Sequence, residues 1–230
     1  MLADLRPNRE IISRKTVGRT MKRLGLAGIC SKKWKTATII DHADAYPVDA
    51  VKRQWDLGAL NQVRVGDITY LRTWEGWVYL ATVIDAHSRR VIGWAIADDM
   101  STDLIQDALT MAIVLCGDRP ATVISHSDRG TQYASAQITE FAATHGITRS
   151  MGSTGICWDN AMAESFFATL KTEFYYRRIW PTRARAIRDV AMWIEDRYNR
   201  RRRHSSIGHA TPVDFELQHS SQAADIQLND

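Results

Sequence analysis

The sequence predicts an α/β domain, a mixed sheet of five strands with helices on both faces, preceded by a short helical N-terminal extension. Three observations carry this expectation. Short runs rich in β-branched and aromatic residues follow one another from Val63, apolar runs then alternate with helical periods, and hydrophobic residues make up 45% of the 230, enough for a buried core.

Val17, Met21 and Leu24 stand at i, i+4 and i+7 with Arg and Lys between them and Gly25 behind, so residues 14 to 24 predict a basic amphipathic helix closed by a glycine cap. Residues 31 to 62 show no sustained period and read as a linker, with the core beginning near residue 58. VRVGDITYL, WVYLATVIDA and RRVIGWAIA, separated by Trp74-Glu75-Gly76 and His87-Ser88, predict three consecutive antiparallel strands. The second, Trp77 to Ile84, is apolar almost throughout and should be covered on both faces. Next come a helix from Ser101, a suitable N-cap, to about Cys116 and a strand at 121 to 125. A helix from about Ser135 to His145, a strand at 147 to 150, and helices over about 158 to 176 and 182 to 202 complete the series. Of the eight tryptophans, Trp74, Trp77 and Trp94 lie close to the first strands, and most are expected in the core.

Thirty Lys+Arg stand against 26 Asp+Glu, so the distribution of charge says more than its total. Between Arg177 and Arg203 there are ten arginines and only Asp189, Glu195 and Asp196, a concentration that suits a polyanion. Cys30, Cys116 and Cys157 are far apart and form no CxxC pair, which points to neither a disulfide framework nor a zinc site. The first residues are charged where a signal peptide needs an apolar run, and no apolar stretch is long enough to span a bilayer. A soluble cytoplasmic protein with no membrane partner is the expectation.

Three acids stand where sheets of this kind present ligands. Asp67 lies inside the first strand among apolar neighbours, a costly place for an unpartnered carboxylate. Asp128 directly follows the strand at 121 to 125, in HSDRGTQY, at the carboxyl end where α/β sheets bind. Glu164 sits on a helix whose packing face is Met162, Phe166, Leu170 and Phe174, while Asn160, Glu164 and Lys171 fall together on another face at about 100° per residue. His126 and Arg129 flank Asp128 and are placed to orient its carboxylate or to meet a phosphate.

Subtracting 128 from 164 gives 36, which leaves 35 residues between the second and third acids, with Lys171 seven positions beyond Glu164. That interval resembles the DD(35)E signature of transposases and retroviral integrases. HSDRGTQY, GICWDNAMAESFFATLKTE and the closing YNRRRRHSSIGHATPVDF are similar to the second-frame product of the IS-three family of bacterial insertion sequences, over roughly residues 10 to 217. The resemblance implies a ribonuclease-H-like core that cleaves and joins DNA strands at the element's terminal inverted repeats. It implies a circular intermediate, a homo-multimer holding both ends, and a bacterial, nucleoid-associated location. It also divides the chain: residues 1–30 as the remnant of a helix-turn-helix region completed by fusion with an upstream frame, 31–58 as linker, 59–217 as core, and 218–230 as tail.

Phosphodiester chemistry asks the same of these residues. A nucleophilic oxygen, a leaving oxygen and phosphate charge can all be served by two metal ions about 3.5–4 Å apart. Mg²⁺, with Mn²⁺ able to substitute, prefers carboxylate oxygens. The resemblance implies that Asp67 bridges the two ions while Asp128 and Glu164 each complete one site. Lys171 is assigned to a DNA phosphate near the terminus, Asn160 and Asp159 to support or DNA contact, and Arg129, Arg200, Arg202 and His204 to DNA. Each of these has a plainer reading, as an ion-paired strand Asp, a turn Asp before Arg-Gly, or a solvated helix face. Asp85 reads as a turn Asp rather than a fourth ligand. Two departures from the family pattern are Arg64, where Trp is usual, and Gly152-Ser153-Thr154 in place of a more basic loop. Two rivals stay open: a nuclease that hydrolyses without joining, and a catalytically silent DNA-binding regulator of transposition.

Overall fold

A computed structural model describes residues 2–5, 12–28, 46–52, 54–117, 122–152 and 161–227. The short helix α1 (Leu2–Leu5) and α2 (Arg14–Arg23) precede the sheet. The Ser13 hydroxyl accepts from the Thr16 amide at the head of α2, and Gly25 takes φ +65 behind it, the left-handed turn that glycine closes without strain. Strands β1 (Val63–Thr73), β2 (Gly76–Asp85) and β3 (Val91–Ala97) form the antiparallel meander expected of their sequences. Helix α3 (Thr102–Cys116) leads to β4 (Val123–Ser127), two short helices α4 (Thr131–Ala134) and α5 (Ala136–Thr144), and β5 (Ile147–Met151). Helix α6 (Ala161–Thr169) runs into a π-helical turn at Leu170–Phe174 and a 3₁₀ turn at Tyr175–Arg177. Helix α7 (Arg183–Met192), a second π-helical turn (Trp193–Tyr198), α8 (Asn199–Arg201) and α9 (Pro212–Gln227) follow.

The strand order is β3-β2-β1-β4-β5, with β4 parallel to both β1 and β5. The fourth strand runs two residues later than the 121–125 expected, and its chain position 121 lies outside the described residues. Helix α9 is an element that sequence periodicity missed, because its apolar residues make no clean stripe. Its Glu216 accepts from the Ser88 hydroxyl at 3.0 Å and pairs with Arg90, tying the helix to the β2–β3 turn.

Alternation along β2 divides the core between the two faces. Leu80 and Ile84 join Val63, Val65 and Leu71 under Phe166, Leu170, Phe174, Trp193 and Ile194, whereas Ala81 and Val83 join Ile92 under Leu104, Ile105, Ala108 and Leu109 of α3. Helices therefore cover both faces. Residues 46–52 and 54–57 also meet the core: Val51 is buried, Trp55 packs against the same cluster, and the Ala50 amide donates to the Ser150 hydroxyl.

Trp180 and Trp193 are core residues, but Trp74 is 75% exposed and Trp77 40%, at the β1–β2 hairpin end. Trp74 and Trp77 therefore stand outside the core in which most tryptophans were expected. Asn199 is buried and its amide makes both hydrogen bonds to the Val91 backbone, each 3.0 Å, which caps the edge strand β3 with a side chain. Asp85 is fully buried and accepts from the Asn61 and Ser88 amides at 2.9 and 2.8 Å, so it serves the turn. No helix among the described residues is long and apolar enough to cross a membrane.

Candidate active site

The parallel ladder between β1 and β4 ends with Gly66 opposite Ser127. The next residue on each chain is an aspartate, Asp67 on β1 and Asp128 just past β4. After Gly66, β1 goes on for seven residues, Asp67 to Thr73, paired with β2, while the chain after β4 turns away through Arg129-Gly130. The Asp128 carboxylate accepts from the Gly130 amide at 3.1 Å, which fixes the turn, and the Asp67 carboxylate accepts from the Ile68 amide at 2.7 Å. Both side chains are half-buried.

Tyr133 of α4 lies under this pair. Its hydroxyl would stand 3.0 Å from a Cβ at position 66, so glycine there gives the ring room against the strand. Burial pushes the Tyr133 hydroxyl well above the usual tyrosine range, and the negative charges of Asp67 and Asp128 push it further in the same direction. The phenol keeps its proton. The residue lies within the motif HSDRGTQY, yet the sequence offered no reason to single it out, because its relation to Gly66 exists only across the β1–β4 pairing.

Lys171 lies in the π-helical turn, 7% exposed, with its ammonium 5.0 Å from the ring centre of Tyr70. Burial lowers its pKa from the ordinary lysine value, and the charge of Asp67 opposes that effect. Lysine and aspartate are therefore electrostatic neighbours. Glu164 stands in the first turn of α6, which packs against β1, and it is exposed. A regular helix would keep Glu164 and Lys171 on one stripe; the π turn beginning at Leu170 intervenes, and the two side chains differ in burial. Among the described residues no group of three or more His, Cys, Asp or Glu side chains is close enough to hold a metal ion. Asn160 and Asp159 lie outside the described residues.

The remaining expected contacts are dispersed. Arg129 donates to the Gly152 carbonyl at 2.8 Å and lies 5.1 Å from the Tyr46 ring centre. His126 is buried, with Nδ1 2.9 Å from the Ser150 hydroxyl and its ring edge-on to Trp55 at 4.9 Å, so it braces residues 46–57 against β5. In the arginine run, Arg201 meets Asp196 at 3.0 Å, Arg202 meets Glu173 at 2.8 Å and Arg203 meets Asp4 at 2.9 Å, while Arg200 is exposed. His204 packs edge-on to Tyr198 at 5.0 Å, and burial, followed by the charges of Arg202 and Arg89, lowers its pKa to about 4.

Residues 59–157 and 145–212 each match a family model described as an integrase core domain. The transposase InsF for insertion sequence IS3A of Escherichia coli K12 is 41% identical over 202 residues, covering 88% of this chain and 70% of that protein. A Mycobacterium tuberculosis H37Rv protein, described as a transposase for insertion sequence element IS986/IS6110, is 39% identical over 220 residues, covering 92% and 77%. The HTLV-2 integrase catalytic core domain, solved in complex with magnesium, superposes with a TM-score of 0.52 at 17% identity over 67% of this chain and 95% of that one. The last likeness shows the fold, which is ribonuclease-H-like. With relatives this similar over most of both lengths, the chain belongs to the insertion-sequence transposases of the IS3 and IS6110 elements, DNA transposases built on an integrase core.

Proposed function

We propose that this transposase cleaves DNA at the terminal inverted repeats of an insertion sequence and joins the freed ends to target DNA, using Asp67, Asp128 and Glu164 as its catalytic carboxylates. The observation that carries this is the parting of β1 and β4 one residue before Asp67 and Asp128, which sets two carboxylates at the head of a diverging strand pair. Hard carboxylate oxygens in such a pair fit Mg²⁺, with Mn²⁺ as substitute, and Glu164 on the helix that packs on β1 is the third donor. Divalent metal ions, when bound, ready a water or a 3′-hydroxyl for attack and offset charge on the phosphodiester.

The chain's own groups supply the rest. Asp67 and Asp128 hold the carboxylate charge, Tyr133 offers a hydroxyl that stays protonated beside them, and Lys171 presents a cation next to Asp67 for a terminal DNA phosphate. Arg129, Arg200, Arg202, His204 and Asn160 are further DNA contacts in this reading. The proposal keeps residues 59–217 as the catalytic core of a second-frame product, assigns end recognition to an upstream helix-turn-helix region joined by fusion, and places the active form in a homo-multimer on bacterial nucleoid DNA.

The test is a strand-transfer assay with the terminal repeats and Mg²⁺, comparing this chain and the upstream fusion with Asp67→Asn, Asp128→Asn and Glu164→Gln. Each substitution is expected to lower cleavage and joining together by about a thousandfold, or about 4 kcal/mol of barrier. Joining that survives Glu164→Gln refutes that residue's role. Tight DNA binding with no cleavage by the fusion would instead establish the regulator.

A further inference from the structure

A second feature lies on α6 beside Glu164. A cleft of about 330 Å³ opens between that helix, the β2–β3 turn and the segment after α8, and its walls include Trp55, Arg89, Ser165, Thr169, Arg202 and His204. Three nitrogens of these walls, Arg89 Nε, Arg202 Nε and His204 Nε2, are buried and have no hydrogen-bond partner among the described residues. Buried polar nitrogens left unpaired are costly, and the β2–β3 turn and the segment after α8 share that condition here. Arg89 also holds φ +65, the left-handed region where a non-glycine residue is strained. Two guanidiniums line the cleft, and the acids near them are outside its walls: Glu173 pairs with Arg202, and Asp56 senses the charge of Arg89. The hydroxyls of Ser165 and Ser206 add further polar groups, that of Thr169 donates to the Ser165 carbonyl at 2.8 Å, and Tyr198 closes the wall against His204.

We propose that this cleft holds a phosphate group, gripped by Arg89, Arg202 and His204 with hydroxyl help from α6. Arginine forks match phosphate oxygens, and the cleft walls carry two arginines and a histidine with no acid among their described residues. In this transposase the phosphate belongs to the backbone of bound DNA, a source that rests on the reading above; inorganic phosphate is the other source of the same chemistry. An aromatic wall at Trp55 leaves room for the sugar or base attached to it.

The experiment follows the His204 imidazole signal by NMR in the full chain, identified by its loss in His204→Gln, during titration with inorganic phosphate and, separately, with a duplex of arbitrary sequence. Either ligand is expected to raise the His204 midpoint above about 4, because a neighbouring anion favours the imidazolium. In parallel, Arg89→Asn, which suits the left-handed backbone, should weaken binding to all duplexes alike and make the slope of log affinity against log salt shallower by about 0.9, the value for one lost phosphate contact. A wild-type His204 signal unmoved by both ligands overturns the site. A signal moved by phosphate, with the DNA slope unchanged in Arg89→Asn, overturns the DNA source and leaves a small-anion site. Strand joining that persists in Glu164→Gln strikes the catalytic assignment alone, since neither readout depends on cutting.

Discussion

Gly93→Ala should loosen the fold without touching the carboxylates. Position 93 is in β3 where α3 crosses it, and an added Cβ would lie 2.1 Å from the Ala108 carbonyl oxygen and 2.8 Å from both Ala112 N and Cβ. A relaxed carbon–oxygen contact is about 3.3 Å, so the helix must retreat by about 1.2 Å. The obstacle is helix backbone, which cannot rotate aside as a side chain would. That retreat opens a gap along Leu104, Ile105, Ala108, Leu109 and Ala112, the buried face of α3, and a gap of this size forfeits much of the dispersion attraction there. Overpacking alone costs about 1–3 kcal/mol, and the lost contacts raise the total to about 4 kcal/mol. At about 2–4 °C per kcal/mol for a chain of this length, the midpoint of thermal unfolding falls by about 8–16 °C. Circular dichroism melting of the full chain reads this directly, with Gly18→Ala as control, since a Cβ there meets nothing within 4 Å. A fall below about 3 °C refutes the seating of α3 on β3. Strand joining well below the new midpoint should persist, because the active face lies across the sheet.

Three other outcomes follow from the same geometry. Asp85→Ala removes a fully buried carboxylate that holds two backbone amides and should cost about 3 kcal/mol or more in chemical denaturation; a loss under about 1 kcal/mol contradicts its role in the turn. His204, with a folded pKa of about 4 against 6.5 unfolded, binds its proton more readily when unfolded, so its contribution is fully present above pH 6.5 and is lost as pH falls toward 4; His204→Gln should flatten stability across that window by at most about 3 kcal/mol. Lys171→Ala should weaken binding of terminal-repeat DNA and lower the joining rate while leaving the melting midpoint within a few degrees, and unchanged terminus binding would remove its assigned contact.

The fold was largely legible because its strands carry their own signals. The meander from Val63 to Ala97 is written in β-branched and aromatic runs with turns between them, and the buried character of β2 follows from an apolar run too continuous for a half-exposed strand. Two tertiary facts were not legible. Trp74 and Trp77 are exposed at the tip of the β1–β2 hairpin, which periodicity does not reveal, and α9 is held by a tie from Glu216 to Ser88 and Arg90, 126 or more positions away in sequence. In the candidate site, the three acids were singled out by their spacing and its resemblance to a family signature. Tyr133 and Arg89 were not, since a tyrosine under a strand glycine and an arginine in a β-turn acquire meaning only from neighbours brought by pairing and helix packing.

The acids sit where they do because of a difference in strand length. β1 has 11 residues and its parallel neighbour β4 only 5, so pairing stops midway along β1 and exposes its edge from Asp67 onward. Elsewhere such an open edge invites another strand; here it begins with a carboxylate and is covered by Lys171, whose ammonium lies over the ring of Tyr70 three residues further along. The π turn matters for the same reason. It begins at Leu170, after exposed Glu164, and holds buried Lys171, so the helix turns its lysine inward to the strand edge while its glutamate stays at the surface. One helix thus serves two places: its inner side offsets the charge of Asp67, and its outer side carries Glu164 next to Ser165 of the cationic cleft. On the proposed reading, a DNA backbone laid along that helix would meet cleft and carboxylates in succession, so the spacing between the two, rather than either alone, would set which phosphodiester reaches the aspartates.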